Sequence, residues 1–373
     1  MKVYVVNHTK MKYNKRIITV TCMFLWHCVL AGAQVITGVI CDKDTKLPVS
    51  NVSVFLDGTS INTITNNLGK FELKTASIIN TKLVLQHLSY ETAVIDRPFA
   101  GLPDTLYIEE RINILSEVSV VADRFTRAQK MKAFREQFLG LSRAGRSCTI
   151  MNEDDIQIFY NMQTGRLTAT SDKPIEVVNS YLGYKVDFTL MDFWVQYGSI
   201  VIGSVLNSGN AQTAFFAVVS SFSDMAPDNR RINQRRNNVY ERSSNYFFKS
   251  FAYDALNENN FRIFNAPLEV DHRQYFATKD TLSQKMIHII PGTDINKGIV
   301  FNNIFDSGSE LSGRISVLYR RDVRSEIFFM TDSFGVDRYG NIDRIDSVWF
   351  DGQMGANRAG DMLPIDYEPT SAR

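Results

Sequence analysis

Apolar and polar residues alternate in short runs along much of the chain, and each run ends in a cluster of turn residues. The stretch VITGVICD sets Val35, Thr37 and Val39 on one face of an extended segment, and KDTKLPVSN then turns the chain. VSVFLDG follows, with Val52, Val54 and Leu56 on one face. In INTITNNLGKFEL, Asn66, Asn67 and Gly69 tolerate the positive backbone angles of a tight turn. A hairpin is predicted there, with Phe71 and Leu73 directed together into a core. KLVLQHLSY and DTLYIEE add two strands at similar spacing, and the set predicts a small all-β sandwich.

The period changes after Asp123. Phe125, Ala128, Met131, Phe134, Phe138 and Leu141 recur at steps of three and four, which predicts a helix over 123–143 capped by Asp123. Strands are predicted again at CTIMN, IQIFYN, RLTATS and YKVDFTLMDFWVQY, the last with Val186, Phe188 and Leu190 alternating. A second helix is predicted from Arg235 to Leu256, where Tyr240, Phe247, Phe251 and Ala255 mark a face. RISVLYRR, SEIFFMTDS and IDSVWFDG then read as strands before a tail, MLPIDYEP. The region is α+β and mostly strand.

The first 33 residues fit neither pattern. Lys10, Lys12, Lys15 and Arg16 precede an apolar run from Ile17 to Leu30, and Ala31 and Ala33 supply the small residues of a cleavage site. That order is a signal peptide's, with the mature chain starting at Gln34. The run is shorter than the roughly 20 apolar residues of a membrane helix, and no later segment reaches that length. An uncut anchor is the alternative reading, and Met11 is an alternative start. His27 before Cys28 and Thr21 before Cys22 do not make a lipidation site.

The chain has 373 residues, enough for two or three domains, and 12% aromatics with only 9 prolines mark it as ordered. Five basic and no acidic residues precede Gln34, so cleavage takes the balance from 41 against 40 to 36 against 40. A slightly acidic protein gives nucleic-acid binding no support. Cys22 and Cys28 leave with the leader. Cys41 and Cys148 remain as either a candidate disulfide or two buried thiols.

TGVICDKDTKLPVSNVSVFLDGT, TNNLGKFEL, LVLQHLSYE and LSEVSVVA, in that order, resemble the carboxypeptidase-like regulatory domain over Val35 to Ala122. The resemblance implies a transthyretin-like sandwich with a carbohydrate-binding-like fold, common in exported proteins of Bacteroides-type bacteria. Gly38, Asp42, Pro48, Val49, Val52, Val54, Gly58, Thr59, Gly69, Phe71 and Tyr90 are its framework positions, none of them catalytic. Ser89 stands where Gly is usual before Tyr90, and Leu68 replaces the usual acidic residue before Gly69. The expected organisation is a leader over 1–33, the module over 34–122 and an uncharacterised, mostly-β α+β domain over 123–373. In the family the module precedes a metallopeptidase, a TonB-dependent receptor or an uncharacterised partner; about 250 residues remain here, too few for plug and barrel together.

Candidate chemistry is sparse. A metallocarboxypeptidase holds zinc with nitrogen and carboxylate ligands. Beyond the leader only His87, His272 and His288 remain, none in an H-E-x-x-H or H-x-x-E arrangement. Asp271 and His272 form the one base-and-orienter pair. GLSRAG, Gly140 to Gly145, is a near miss to the nucleophile elbow that follows a helix rather than a strand, and reads as helix-ending punctuation. DSFGVDRYGNID, Asp332 to Asp343, suits either a calcium loop or a hairpin with a Gly-Asn turn. NRRINQRRNN offers Arg230, Arg231, Arg235 and Arg236 as an anion site or as a solvated helix start.

The expectation is a non-catalytic exported protein of the periplasm or the periplasmic side of the outer membrane. Its sandwich docks or stabilises, and its C-terminal domain binds an envelope protein or surface glycan. No cofactor, metal or transmembrane helix is expected in the mature chain. The alternatives are a hydrolase related to metallocarboxypeptidases, a component linked to TonB-dependent uptake, and a small outer-membrane barrel of C-terminal strands.

Overall fold

The computed structural model describes residues 34–111, 124–198, 205–265, 267–295 and 311–370. The leader, the LSEVSVVA segment and Asp123 lie outside the described residues. Three large cores organise the described residues, one in the sandwich and two in the region that follows, with a small fourth cluster beside them.

The sandwich is built from β1 (Gln34–Asp42), β2 (Ser53–Leu56), β3 (Asn62–Ile64), β4 (Lys70–Thr75), β5 (Leu83–His87), β6 (Tyr90–Ile95) and β7 (Thr105–Ile108). One sheet runs β4-β1-β7 and the other β3-β2-β5-β6. The expected inward residues Val52, Val54, Leu56, Phe71 and Leu73 are all buried. On β1 the inward face is that of Ile36 and Ile40, and Val35 is exposed, because the antiparallel register sets Ile36 opposite Leu73. In the hairpin, the Asn66 side chain accepts the N–H groups of Leu68 and Lys70. Gly69 has φ +69, and a Cβ there would strike the Ile40 carbonyl, so only glycine closes this turn against β1.

The second core lies under α1 (Arg127–Phe138), α2 (Arg143–Arg146) and a six-stranded sheet. Its strands are β8 (Cys148–Ile150), β9 (Ile156–Asn161), β10 (Arg166–Ser171), β11 (Ile175–Asn179), β12 (Tyr184–Tyr197) and β13 (Ala211–Asp224). α1 starts later than predicted because Thr126 and Gln129 form a reciprocal capping box. Phe134 and Phe138 pack on Phe193 and Phe188, whereas Ala128 and Leu141 are exposed. A bulge between Leu190 and Asp192 shifts the register of β12, so Phe193, Val195 and Tyr197 continue the inward face begun by Val186 and Phe188.

The expected second helix is two helices, α3 (Arg230–Tyr240) and α4 (Ser244–Ala252). Asn229 caps the first, and the Ser243 hydroxyl, accepting from Tyr246 N–H, starts a new helix one turn after the first ends. α4 buries Phe247, Phe248 and Phe251 in the third core. Around it run β14 (Phe261–Asn265), β15 (Leu268–Val270), β16 (Phe276–Asp280), β17 (Lys285–Ile289), β18 (Gly313–Tyr319), β19 (Val323–Phe329), β20 (Ser333–Val336) and β21 (Val348–Gly352). They form two open sheets, β15-β14-β18-β19-β21 and β16-β17-β20. No helix among the described residues is long and apolar enough to cross a membrane.

Candidate functional site

The sandwich is joined to the second core by its outer face. On β2 and β5 the residues Phe55 and Val84 point away from the sandwich core and pack on Val219 of β13. Beside this contact, Thr59 pairs with Ser221 in a parallel bridge. Gly58 N–H donates to Ser220 O at 2.8 Å, and Phe222 N–H donates to Thr59 O at 2.9 Å. The Asp57 carboxylate accepts Ser220 N–H at 2.8 Å, and burial raises its pKa to about 6. Gln86 reaches Thr189 Oγ1 at 2.6 Å, and Arg111 reaches Asp172 O at 2.8 Å. This seam combines apolar burial with backbone pairing, the two devices that hold strands together within one sheet.

A second junction is centred on Asp337, which is fully buried in the loop after β20. Its Oδ1 accepts the N–H groups of Tyr339 and Asn341; its Oδ2 accepts Asn80 N–H at 2.8 Å and the Asn341 amide at 2.9 Å. Burial pushes the Asp337 pKa up despite these donors. Tyr339 sits in the sandwich core, and Asn341 bonds both Asn245 of α4 and Ile365 O of the tail. The tail ties the units together. Ala359 lies in the second core, Ile365 N–H donates to Gly58 O at 2.8 Å, and Tyr367 Oη donates to Asn237 of α3. The acidic run Asp332 to Asp343 is therefore a turn between units, with Val336 bridged to Ile342 across it. Among the described residues, no three His, Cys, Asp or Glu side chains converge in a metal-binding group.

Two clefts open on the C-terminal region. One, of about 300 Å³, is bordered by Asp254, Arg262, Glu269, Asp271, His272 and Arg273. His272 is buried against Phe251, with Nε2 3.4 Å from Asp254 and Nδ1 3.5 Å from Asp271. Burial lowers the imidazole pKa, and hydrogen bonds from Arg273 hold Asp271 down at about 2. Both ring nitrogens face carboxylates, and Arg273 ties Asp271 at 2.6 Å, so the pair reads as a clasp on the 3-10 turn His272–Gln274. His87 instead packs edge-on to Tyr90, and His288 is exposed on β17. The other cleft, of about 500 Å³, is lined by Tyr160, Tyr197 and the amides of Gln163, Gln196 and Gln212. The Gln196 amide is committed to the Thr164 and Tyr197 carbonyls.

The structure separates the four candidate arginines. Arg236 is buried, pairs bidentately with Asp224 at 2.7 and 2.8 Å, donates to Leu182 O and Gly183 O, and lies 3.9 Å over the Tyr184 ring. It is a structural clamp and leaves the anion-binding set, because its donors are already spent inside the protein. Arg235 has one bond, to Tyr181 O, and Arg230 and Arg231 are exposed. Cys41 and Cys148 are free thiols in different sheets, the first in β1 and the second in β8, where it donates to Ala144 O. No bridge joins them. Ser142 of GLSRAG caps α2 by accepting Gly145 N–H and donates to Asp361, which is a capping role.

The framework positions act as packing and turn residues. Phe71 covers Gly38, and the bridge between Cys41 and Pro48 closes the β1 turn. Val49 is buried, and Thr59 Oγ1 donates to Leu56 O at 2.8 Å. Asp42 holds the Asp44 and Thr45 N–H groups; its pKa is lowered chiefly by the Thr45 bonds, with a further bond from Tyr90. Asp57 and Ser220 were not read from the sequence, and Asp337 only as part of the acidic run Asp332 to Asp343. The signal for the seam was apolar triplets such as Val54-Phe55-Leu56 and Leu83-Val84-Leu85, which cannot alternate because both faces of the sheet are covered.

Residues 36–120 match the family model of the CarboxypepD_reg-like domain. The match covers the sandwich and ends before α1, so the N-terminal unit is a CarboxypepD_reg-like β-sandwich and a β-rich region follows it. No curated protein matches the chain.

Proposed function

We propose that the chain is a non-catalytic exported protein of the periplasm or the periplasmic side of the outer membrane. The CarboxypepD_reg-like sandwich is its stabilising and docking module, and the region after it binds an envelope protein or a surface glycan. The observation that carries this reading is the seam: Phe55 and Val84 pack on Val219 while Asp57 and Gly58 bond Ser220. A module whose outer face and loop are spent on the neighbouring sheet supports that sheet, and it leaves the clefts and basic surface of the C-terminal region to face a partner.

Crosslinking in the native envelope, followed by affinity purification and mass spectrometry, tests the reading. Reproducible co-purification of one envelope protein or surface polymer is expected. Recovery of the protein alone, with turnover of a substrate in a hydrolase screen, would overturn it.

A further inference from the structure

We propose that Arg143, Arg235 and Tyr181 form a binding site for phosphate monoester groups. Tyr181 stands in the turn between β11 and β12, and two guanidinium groups from different helices converge on its ring. Arg235 of α3 lies 4.6 Å from the ring centroid and Arg143 of α2 lies 5.2 Å from it. This deepens the reading above by giving the C-terminal region a ligand chemistry.

The scaffold under the three residues is fixed. Asn179 is buried, accepts the N–H groups of Tyr181 and Leu182, and donates to Gly360 O of the tail. Ser180 N–H and its hydroxyl both reach Ser147 O, which ties the turn to the end of α2. Arg235 donates to Tyr181 O at 3.2 Å, leaving most of its fork free. α2 itself is anchored by Ser142 on Asp361 at 2.6 Å. The ring, α2 and α3 thus meet in one place through backbone and buried side chains, while Arg143 is exposed and Arg235 half-buried.

The charge there is unbalanced. Among the described residues, neither Arg143 nor Arg235 has a carboxylate partner, and the same holds for Arg146 and Arg231, one turn away on the respective helices. Two acids on adjoining segments are engaged elsewhere: Asp224 by Arg236, and Asp361 by Ser142 and the backbone of Arg358. Asp228 is exposed in the turn before α3. Each arginine in these helices could have been neutralised as Arg236 is, and these are not.

The donor set selects among anions. The donors at hand are two planar forks over the Tyr181 ring and the Tyr181 hydroxyl, which has no partner among the described residues. A tetrahedral dianion with three terminal oxygens can use all of them, whereas a planar carboxylate accepts one fork in its own plane. Free phosphate esters and phosphorylated lipid headgroups present the same group.

The test is binding of inorganic phosphate and pyrophosphate by calorimetry, alongside co-sedimentation with phosphatidylcholine vesicles with and without phosphatidic acid, at low ionic strength. Wild type is compared with the double variant Arg143→Gln and Arg235→Gln, the first at an exposed position and the second at a half-buried one. Saturable binding that weakens at least tenfold in the variant, with its cooperative melt retained, is the expected result. Binding in solution assigns the site to free phosphate esters, and binding to vesicles alone assigns it to a headgroup. No binding in either arm, or equal binding by the variant, overturns the proposal. Arg236→Lys is a separate control for folding, because it alters the structural clamp rather than the site. A failure here leaves the co-purification result standing, since that experiment needs no phosphate.

Discussion

The Asp57 carboxylate accepts the backbone N–H of Ser220 at 2.8 Å, linking a loop of the sandwich to the strand at the edge of the neighbouring sheet. Gly58 and Thr59 continue the contact through the carbonyl of Ser220 and the N–H of Phe222. The bond is therefore one rung of a short ladder between two units that are far apart in sequence.

That rung makes the seam pH-dependent. Asp57 titrates near 3.8 when unfolded and about 6 when folded, because burial penalises its charged form. Its favourable contribution is complete below about pH 4 and is lost as pH rises through 6, a swing on the order of 3 kcal/mol. Asp57→Asn keeps an acceptor and cannot ionise. Denaturant melts should show the variant gaining on wild type between pH 4 and 7; parallel pH profiles would contradict this assignment.

Asp337 should be the more damaging site to empty. Asp337→Ala leaves the buried N–H groups of Asn80, Tyr339 and Asn341 without their acceptor, and each such loss costs about 1–3 kcal/mol. A total loss of about 3–5 kcal/mol is expected. Asp337→Asn keeps one accepting oxygen but turns its NH2 toward two of these donors, and should cost about 2–4 kcal/mol in the same chemical melts.

Arg236 and Arg235 are neighbours with unequal expectations. Arg236→Lys removes the bidentate pair with Asp224 and donors to two carbonyls, and should cost about 2–4 kcal/mol. Arg235→Gln should cost only about 1 kcal/mol, since the half-buried side chain gives up one hydrogen bond, to Tyr181 O, and a ring contact. Thermal melts of the two variants separate the clamp from the basic surface.

Cys41 and Cys148 should both be unreactive thiols in the folded protein. Cys41 is buried away from reagents, and burial pushes the Cys148 pKa up to about 12, so Cys148 holds little thiolate at neutral pH. In protein beginning at Gln34, thiol reagents should modify both only on unfolding. Intact mass without reductant should match two free thiols; a mass lower by two hydrogens would show a bridge.

The sandwich was legible because its strands alternate and its turn residues are chemically distinctive. Phe71, Leu73, Val52, Val54 and Leu56 face inward as their spacing dictates. β13 was not legible. Its run TAFFAVVSSFS packs Phe216, Val218 and Phe222 on one core and Val219 on the sandwich, and a strand covered on both faces loses its period. The break between α3 and α4 was hidden as well, because Ser243 caps a helix inside a pattern whose apolar spacing continues across it. The anion set was half legible: sequence shows four arginines, and only the fold shows that Asp224 consumes Arg236 while Arg143 arrives from another helix.

Hydrogen exchange at the amides of Gly58, Ser220 and Phe222 tests whether sandwich and body form one supported unit. All three should exchange slowly and together, with protection close to that of the β12–β13 ladder. Rapid exchange at these three amides, with the rest of the β12–β13 ladder still protected, would show the sandwich swinging free of the body.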